Sequence, residues 1–281
     1  MTDTLELLGR IHEADLEAVR AVGRVLPDVA RAADAIAARL EAGGKWVNAG
    51  AGTSGRLGVL DASELPPTFG VDPRLVTGII AGGSEALVSA VEGAEDDEEQ
   101  GAEDVKSAGL TSRDVVLGIA ASGATPWVAG ALRQAKEIGA LTVALVGVPG
   151  SRLASIADLP LVVETGAEVL RGSTRMKAGT AQKLVMNMLS TAVMARRGLV
   201  YRGEMVAMRP TNAKLRKRAV DILGRLLALS PEPAERLLER AEWELPVALV
   251  AGKWSLPVGS AREWIASRNG NVARALDEEP S

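Results

Sequence analysis

Residues 45–58 read KWVNAGAGTSGRLG. A short apolar run, Lys45–Asn48, passes through Gly50 and Gly52 into a stretch with helical character, with Thr53 and Ser54 at the turn. Glycines there let the backbone approach a ligand, and the hydroxyls lie beside the free N–H groups that open a helix. A phosphate in that position is held by the helix dipole and hydrogen bonds together. The stretch is not a dinucleotide fingerprint, because no acidic residue follows at the end of the next apolar run. Nor is it a P-loop, because it contains no Gly-Lys-Ser/Thr. A strand, a glycine turn and a helix in that order are the opening of an α/β unit.

The rest of the chain continues the rhythm. Further short, β-branched runs occur at Leu75–Ile80, Val115–Ile119, Leu141–Val146 and Leu161–Val163, with helix-like segments between most of them. Alternation of this kind predicts an α/β fold, a doubly wound, mostly parallel sheet covered on both faces. Before it, residues 1–42 form a helical segment, with Val29, Ala33, Ile36 and Leu40 three or four apart and Gly43-Gly44 as the stop. After it, Met176–Arg196 reads as a long helix more apolar than a surface helix. A subunit interface or a central place within the domain accounts equally for that pattern. Ser230-Pro231-Glu232-Pro233 marks a break, so residues 43–229 form the sheet domain and 230–281 a small helical domain. Trp243, Trp254 and Trp264 read as core residues of that domain.

Composition narrows the chemistry. The 281 residues are 47% hydrophobic but only 2% aromatic, so the core is aliphatic. There is no cysteine, which excludes disulfides and thiolate metal sites. His12 is the only histidine, which argues against Ser-His-Asp catalysis and a zinc site, and it reads as a solvated helix position. A net charge of -4 with dispersed Arg and Lys offers no nucleic-acid footprint. No signal peptide or membrane-spanning run is evident, so a cytoplasmic protein is expected.

A second loop, Ala120–Pro126 (AASGATP), repeats the logic of the first, with Ser122 and Thr125 as its hydroxyls. Two such loops on one sheet edge favour a sugar phosphate over two plain tight turns. A third cluster, Arg171–Thr180, opens the long helix. Ser173 and Thr174 either cap that helix or complete the anion site, and Glu168 either binds sugar hydroxyls or favours the helix N-terminus. With so little His and no Cys, proton transfer falls to Glu, Asp, Lys or Tyr. Glu64, just before a Pro66-Pro67 break, and Glu95, heading an acidic run, stand out, although most carboxylates are solvated surface groups. The acidic run lacks the spacing of a calcium loop, and no metal is expected.

Four motifs, GAGTSGRLGVLDASELPP (50–67), AVEGAEDD (90–97), GIAASGATP (118–126) and GSTRMKAGTAQKLVMN (172–187), resemble those of N-acetylmuramic acid 6-phosphate etherases. These belong to the sugar isomerase (SIS) superfamily. Asn212–Leu215 and Arg218 also match. The resemblance implies a doubly wound SIS domain, a homodimer with sites near the subunit interface, and no cofactor. It implies release of D-lactate from N-acetylmuramic acid 6-phosphate, by elimination through the open-chain sugar and then hydration. Glu64 falls on that family's principal acid/base and Glu95 on its second candidate; Gly52, Thr53, Ser54, Ser122, Thr125, Glu168, Ser173 and Thr174 are the expected substrate-binding set. Three departures stand out: a late start to the chain, Ala124 and Trp127 in place of Arg and Tyr, and Arg171 in place of a small residue. A sugar-phosphate sensor, like the glucokinase regulatory proteins, and a sugar-phosphate isomerase are the alternatives. A sensor has no need of both Glu64 and Glu95. As general acid, Glu64 is expected to be desolvated by Leu60, Leu65, Pro66 and Pro67.

Overall fold

The five apolar runs become the five strands of one sheet. In the computed structural model, which describes residues 3–280, they are β1 (Trp46–Gly50), β2 (Val76–Ile80), β3 (Val115–Ala120), β4 (Leu141–Val146) and β5 (Leu159–Val162). The spatial order is β2-β1-β3-β4-β5, and every neighbouring pair is parallel. β1 and β3 bury every residue, which is why their sequences are apolar instead of alternating, apart from Asn48 in β1.

Two helices precede the sheet, α1 (Thr4–Arg24) and α2 (Leu26–Glu41). Pro27 is the reason for the division at Val25: it has no N–H to give a continuing helix, yet it fits the first turn of a new one. α3 (Gly52–Phe69) joins β1 to β2. Two 3-10 turns, Gly83–Leu87 and Ala94–Asp96, and then α4 (Glu98–Ser107) lead to β3. α5 (Pro126–Ile138) joins β3 to β4, α6 (Arg152–Ile156) joins β4 to β5, and α7 (Lys177–Arg196) follows. The expected break at Pro66-Pro67 does not occur. α3 runs through both prolines, and Gly70 N–H donates to the Pro66 carbonyl at 2.9 Å. Burial of Leu65 and Phe69 offsets the helix bonds that the prolines cannot donate.

One face of the sheet is covered by α4, α5 and α6, whose Val105, Trp127, Val128, Leu132 and Leu153 cluster with Val47, Ala49, Val116, Ala144 and Val146. Glycines bring α4 and α5 together: a Cβ at Gly130 would stand 1.9 Å from the Glu98 carbonyl oxygen. On the opposite face, Asn48 Nδ2 donates to the Gly58 carbonyl of α3 at 3.0 Å, and α2 packs on β5.

The described residues fall into two compact units. One runs to Ser63 and takes in Pro73–Ala192; the other comprises Glu64–Asp72 and Val193 onward. The second unit contains α8 (Ala213–Leu227), α9 (Pro231–Arg240), α10 (Leu245–Trp254), α11 (Val258–Ala266) and α12 (Val272–Asp277). Its core holds Ile222, Leu223, Leu238, Leu249 and Leu276. Trp243, Trp254 and Trp264 pack on that core while remaining partly exposed, and Trp254 and Trp264 both donate to the Ala275 carbonyl at 3.0 Å. The fully buried tryptophans are Trp46 and Trp127, in the first unit.

Candidate functional site

The strand order reverses between β1 and β3. The chain places β2 on one side of β1, then returns to the other side and grows outward through β4 and β5. Connections leaving the carboxyl ends of the two strands at such a reversal diverge and leave a crevice, where ligands of open α/β sheets bind. The register pairs Gly50 with Ile119, so the loops bearing Thr53-Ser54 and Ser122-Thr125 leave the sheet side by side.

The first loop is braced by α7. Ser54 Oγ donates to Gln182 Oε1 at 2.9 Å, and the Thr53 methyl is 3.5 Å from where a Cβ would sit on Gly179. Gly52 has φ +52, in the left-handed region that glycine occupies without strain. In the second loop, Ala124 N–H donates to Ser122 Oγ at 3.2 Å, while the Gly123 carbonyl accepts from Leu153 N–H at 2.9 Å. Thr125 occupies the N-cap position of α5, but its side chain does not cap the helix.

In the third cluster Glu168 takes the helix-terminal role. Its carboxylate accepts the N–H groups of Lys177 at 3.2 Å and Ala178 at 3.0 Å, which satisfies two donors at the start of α7. Ser173 and Thr174 serve that turn through their carbonyls, which accept from Met176 and Gly179. Of the unusual residues, Trp127 is fully buried and its indole donates to Asp104 at 3.1 Å. It is therefore a core substitution that leaves the site surface alone. Ala124 and Arg171 are exposed.

Glu95 lies on the turn Ala94–Asp96, which is entered through Gly93 at φ +74 and packs on α5. Arg56, two residues beyond Ser54, steadies the same connection. Its guanidinium donates to the carbonyls of Leu87 at 3.0 Å and Ser89 at 3.2 Å. Glu95 thus lies on a connection that is tied to the first part of α3 through Arg56 and packs on α5. Glu64 lies elsewhere along α3. Twelve residues at 1.5 Å each put it about 18 Å from Gly52.

The expected apolar setting for Glu64 is absent within the chain. Glu64 is exposed, as is Pro67, and Leu60 is 49% exposed. Helical spacing explains it: residues 60 and 64 share an outward face, while 61 and 65 share the inward one. Asp61 occupies the buried place instead. Its Oδ1 accepts from Ser190 Oγ at 3.1 Å, and Oδ2 has no partner among the described residues. Burial pushes its carboxyl up to about 6, against the opposing pull of the Ser190 hydroxyl and the Lys183 charge. Asp61, Arg56 and Gln182 escaped the sequence reading. Arg56 and Gln182 each sit among other polar residues of their helices, so the sequence carries no signal that sets them apart.

Among the described residues no three acidic or histidine side chains gather as metal ligands, and no helix is long and apolar enough to cross a membrane.

Comparison with known proteins bears on the family and the fold. Residues 28–136 match the glucokinase regulatory protein N-terminal SIS domain and residues 98–192 the SIS domain. The chain is 47% identical over 273 residues to the N-acetylmuramic acid 6-phosphate etherase of Cronobacter sakazakii, covering 97% of this chain and 92% of that protein. It is 47% identical over 274 residues to the etherase of Salmonella agona, at 98% and 92% coverage. Among solved structures, a phosphoheptose isomerase from Francisella tularensis superposes with a TM-score of 0.56 at 23% identity, covering 69% of this chain and all of that one. A phosphoheptose isomerase from Neisseria gonorrhoeae gives 0.54 at 18% identity, with 69% and 100% coverage. These likenesses speak for the fold alone.

Proposed function

The chain belongs to the N-acetylmuramic acid 6-phosphate etherases, and from that premise we propose that its two hydroxyl-bearing loops hold the sugar phosphate while Glu64 and Glu95 move the protons. The activity itself, cleavage of the lactyl ether by a carbon-oxygen lyase, follows from 47% identity over nearly the whole chain. The observation that carries the site assignment is the strand reversal between β1 and β3, with Thr53, Ser54, Ser122 and Thr125 on the two loops that leave it. Hydroxyl and backbone donors at helix starts suit a phosphate, and Gly52 admits it closely.

In the proposed mechanism Glu95 removes the C2 proton of the open-chain sugar, Glu64 protonates the departing lactyl oxygen, and water adds to the unsaturated aldehyde to give N-acetylglucosamine 6-phosphate and D-lactate. Ser173, Thr174 and Glu168 support the site by ordering the start of α7. No cofactor or metal takes part, and the reaction belongs to cytoplasmic amino-sugar recycling.

The active form is a homodimer. From phosphorus to C3 of a hexose 6-phosphate runs a chain of five bonds near 1.5 Å each, about 7 Å at most. A Glu64 about 18 Å down α3 is therefore poorly placed for a phosphate on its own first loop, and a second copy's Glu64 serves better. Closure by that copy also supplies the desolvation that a carboxyl acid needs at neutral pH.

Glu64→Gln keeps the shape and removes the titrating proton. Its release of lactate should fall roughly 10²–10⁴-fold while binding of the sugar phosphate persists. Undiminished release refutes the assignment, and equal loss of C2 proton exchange and lactate release gives Glu64 both steps.

A further inference from the structure

Gln182 is 5% exposed, and its amide makes one hydrogen bond, to the Ser54 hydroxyl at 2.9 Å. Its Nε2 is buried and has no partner among the described residues. Reversing the amide does not cure this. Ser54 would then accept from Nε2, and Oε1 would become the orphan in its place. One amide atom is unmet in either orientation. Buried unsatisfied groups are costly and few in native structures. The two orientations differ in what Ser54 can do. With Oε1 toward it, the Ser54 proton is spent on the glutamine. With Nε2 toward it, Ser54 accepts from the glutamine and its own O–H is released to donate elsewhere.

We propose that Gln182 is a positioning residue for the substrate phosphate: its amide reverses as the phosphate arrives, so that Nε2 donates to Ser54 Oγ and the Ser54 hydroxyl donates to the phosphate. This rests on the reading of the first loop as the phosphate site. One amide atom is unmet either way, but the reversed orientation exchanges one Ser54 hydrogen bond for two that run in series, Gln182 to Ser54 to phosphate. Such a chain is polarised in one direction and is stronger than its links taken singly. It also favours phosphorylated sugars, because an anion profits more than a neutral acceptor from a donor that has been freed and polarised.

The test is a double-mutant cycle on the full chain, with lactate release from N-acetylmuramic acid 6-phosphate giving kcat and KM, and inorganic phosphate as competing ligand giving an inhibition constant. Ser54→Ala should raise KM; if it leaves KM and the phosphate inhibition constant unchanged, the first-loop reading itself fails. Gln182→Leu should raise both by about 5- to 100-fold with kcat within about twofold. The double variant should be no worse than Ser54→Ala, because Gln182 acts through Ser54. Additive effects in the double variant, or a Gln182→Leu that lowers kcat and leaves KM alone, overturn the proposal and spare the first-loop reading. Gln182→Glu covers the case in which the leucine variant does not fold. Its carboxylate can only accept, so its KM relative to the unchanged protein at the same pH should fall as the solution is acidified and the carboxyl regains a donor. A ratio independent of pH counts against the proposal.

Discussion

Asp61 and Glu64 differ by three residues on one helix, and burial separates their behaviour. Asp61 is enclosed against Ser190, and its carboxyl rises from 3.8 to about 6. A carboxyl raised on folding is protonated more readily in the native state, so the sign runs opposite to that of a salt-bridged aspartate. Below about pH 4 both states are protonated and nothing is lost. Between pH 4 and 6 the unfolded state ionises while the native carboxyl keeps its proton, so stability falls, and above 6 the cost is complete, about 3 kcal/mol. Asp61→Asn removes that cost. Urea denaturation should show the stability of the variant relative to the original improving by a few kcal/mol from pH 4 to pH 7, the offset at pH 4 reporting the new amide alone. A difference that stays flat across that window refutes the buried titration. Single residues of this kind were poorly legible in the sequence. Thr53, Ser54, Ser122 and Thr125 announce themselves because glycines and strand ends surround them. Asp61 does not, since a carboxylate two positions before an exposed serine carries no sign of which way its helix faces.

At the scale of elements, α4 and α5 touch through glycine. Glycine in a helix interior ordinarily costs about 0.5–1 kcal/mol against alanine. Gly130→Ala should reverse that sign, because its Cβ would meet the Glu98 carbonyl oxygen at 1.9 Å and force α4 outward, an overpacking worth roughly 1–3 kcal/mol. Gly9→Ala is the matched comparison, a helical glycine of α1 with nothing within 4 Å, and should stabilise. Melting temperatures moving the same way in both variants sink the argument. Elements were the most legible level. Every strand was readable to within two residues, because each is a short, largely apolar run with β-branched residues, bounded by turn residues. The failures lie at proline. Pro27 divides one apparent helix into two, whereas Pro66 and Pro67 fail to end α3, since burial of Leu65 and Phe69 outweighs local preference.

For the whole molecule, exposed apolar side chains give assembly a physical handle. Leu5 is 77% exposed, Leu8 57% and Val19 52% along α1, while the apolar positions of α7 are mostly covered within the chain, leaving Met188 at 40%. If a second copy covers α1, sedimentation at micromolar concentration should give twice the chain mass, and Leu5→Glu with Leu8→Glu should halve it and lower activity together. A monomer at that concentration that still releases lactate at full rate ends the dimer reading. The parallel α/β architecture was legible from the alternation of runs and helices, but the strand order was not: adjacency in the sheet is a long-range choice that no local pattern records. So the sequence could nominate two loops, and only the reversal between β1 and β3 shows why they are neighbours.

Seen in time, the bond between Ser54 and Gln182 sets a schedule. The two residues lie 128 positions apart, which at about 5–20 residues per second is roughly 6–25 s of synthesis. Throughout that interval a nascent chain carries a complete glycine loop with nothing behind it to orient its serine. The bond that fixes Ser54 can form only with α7, after every strand of the sheet has been made.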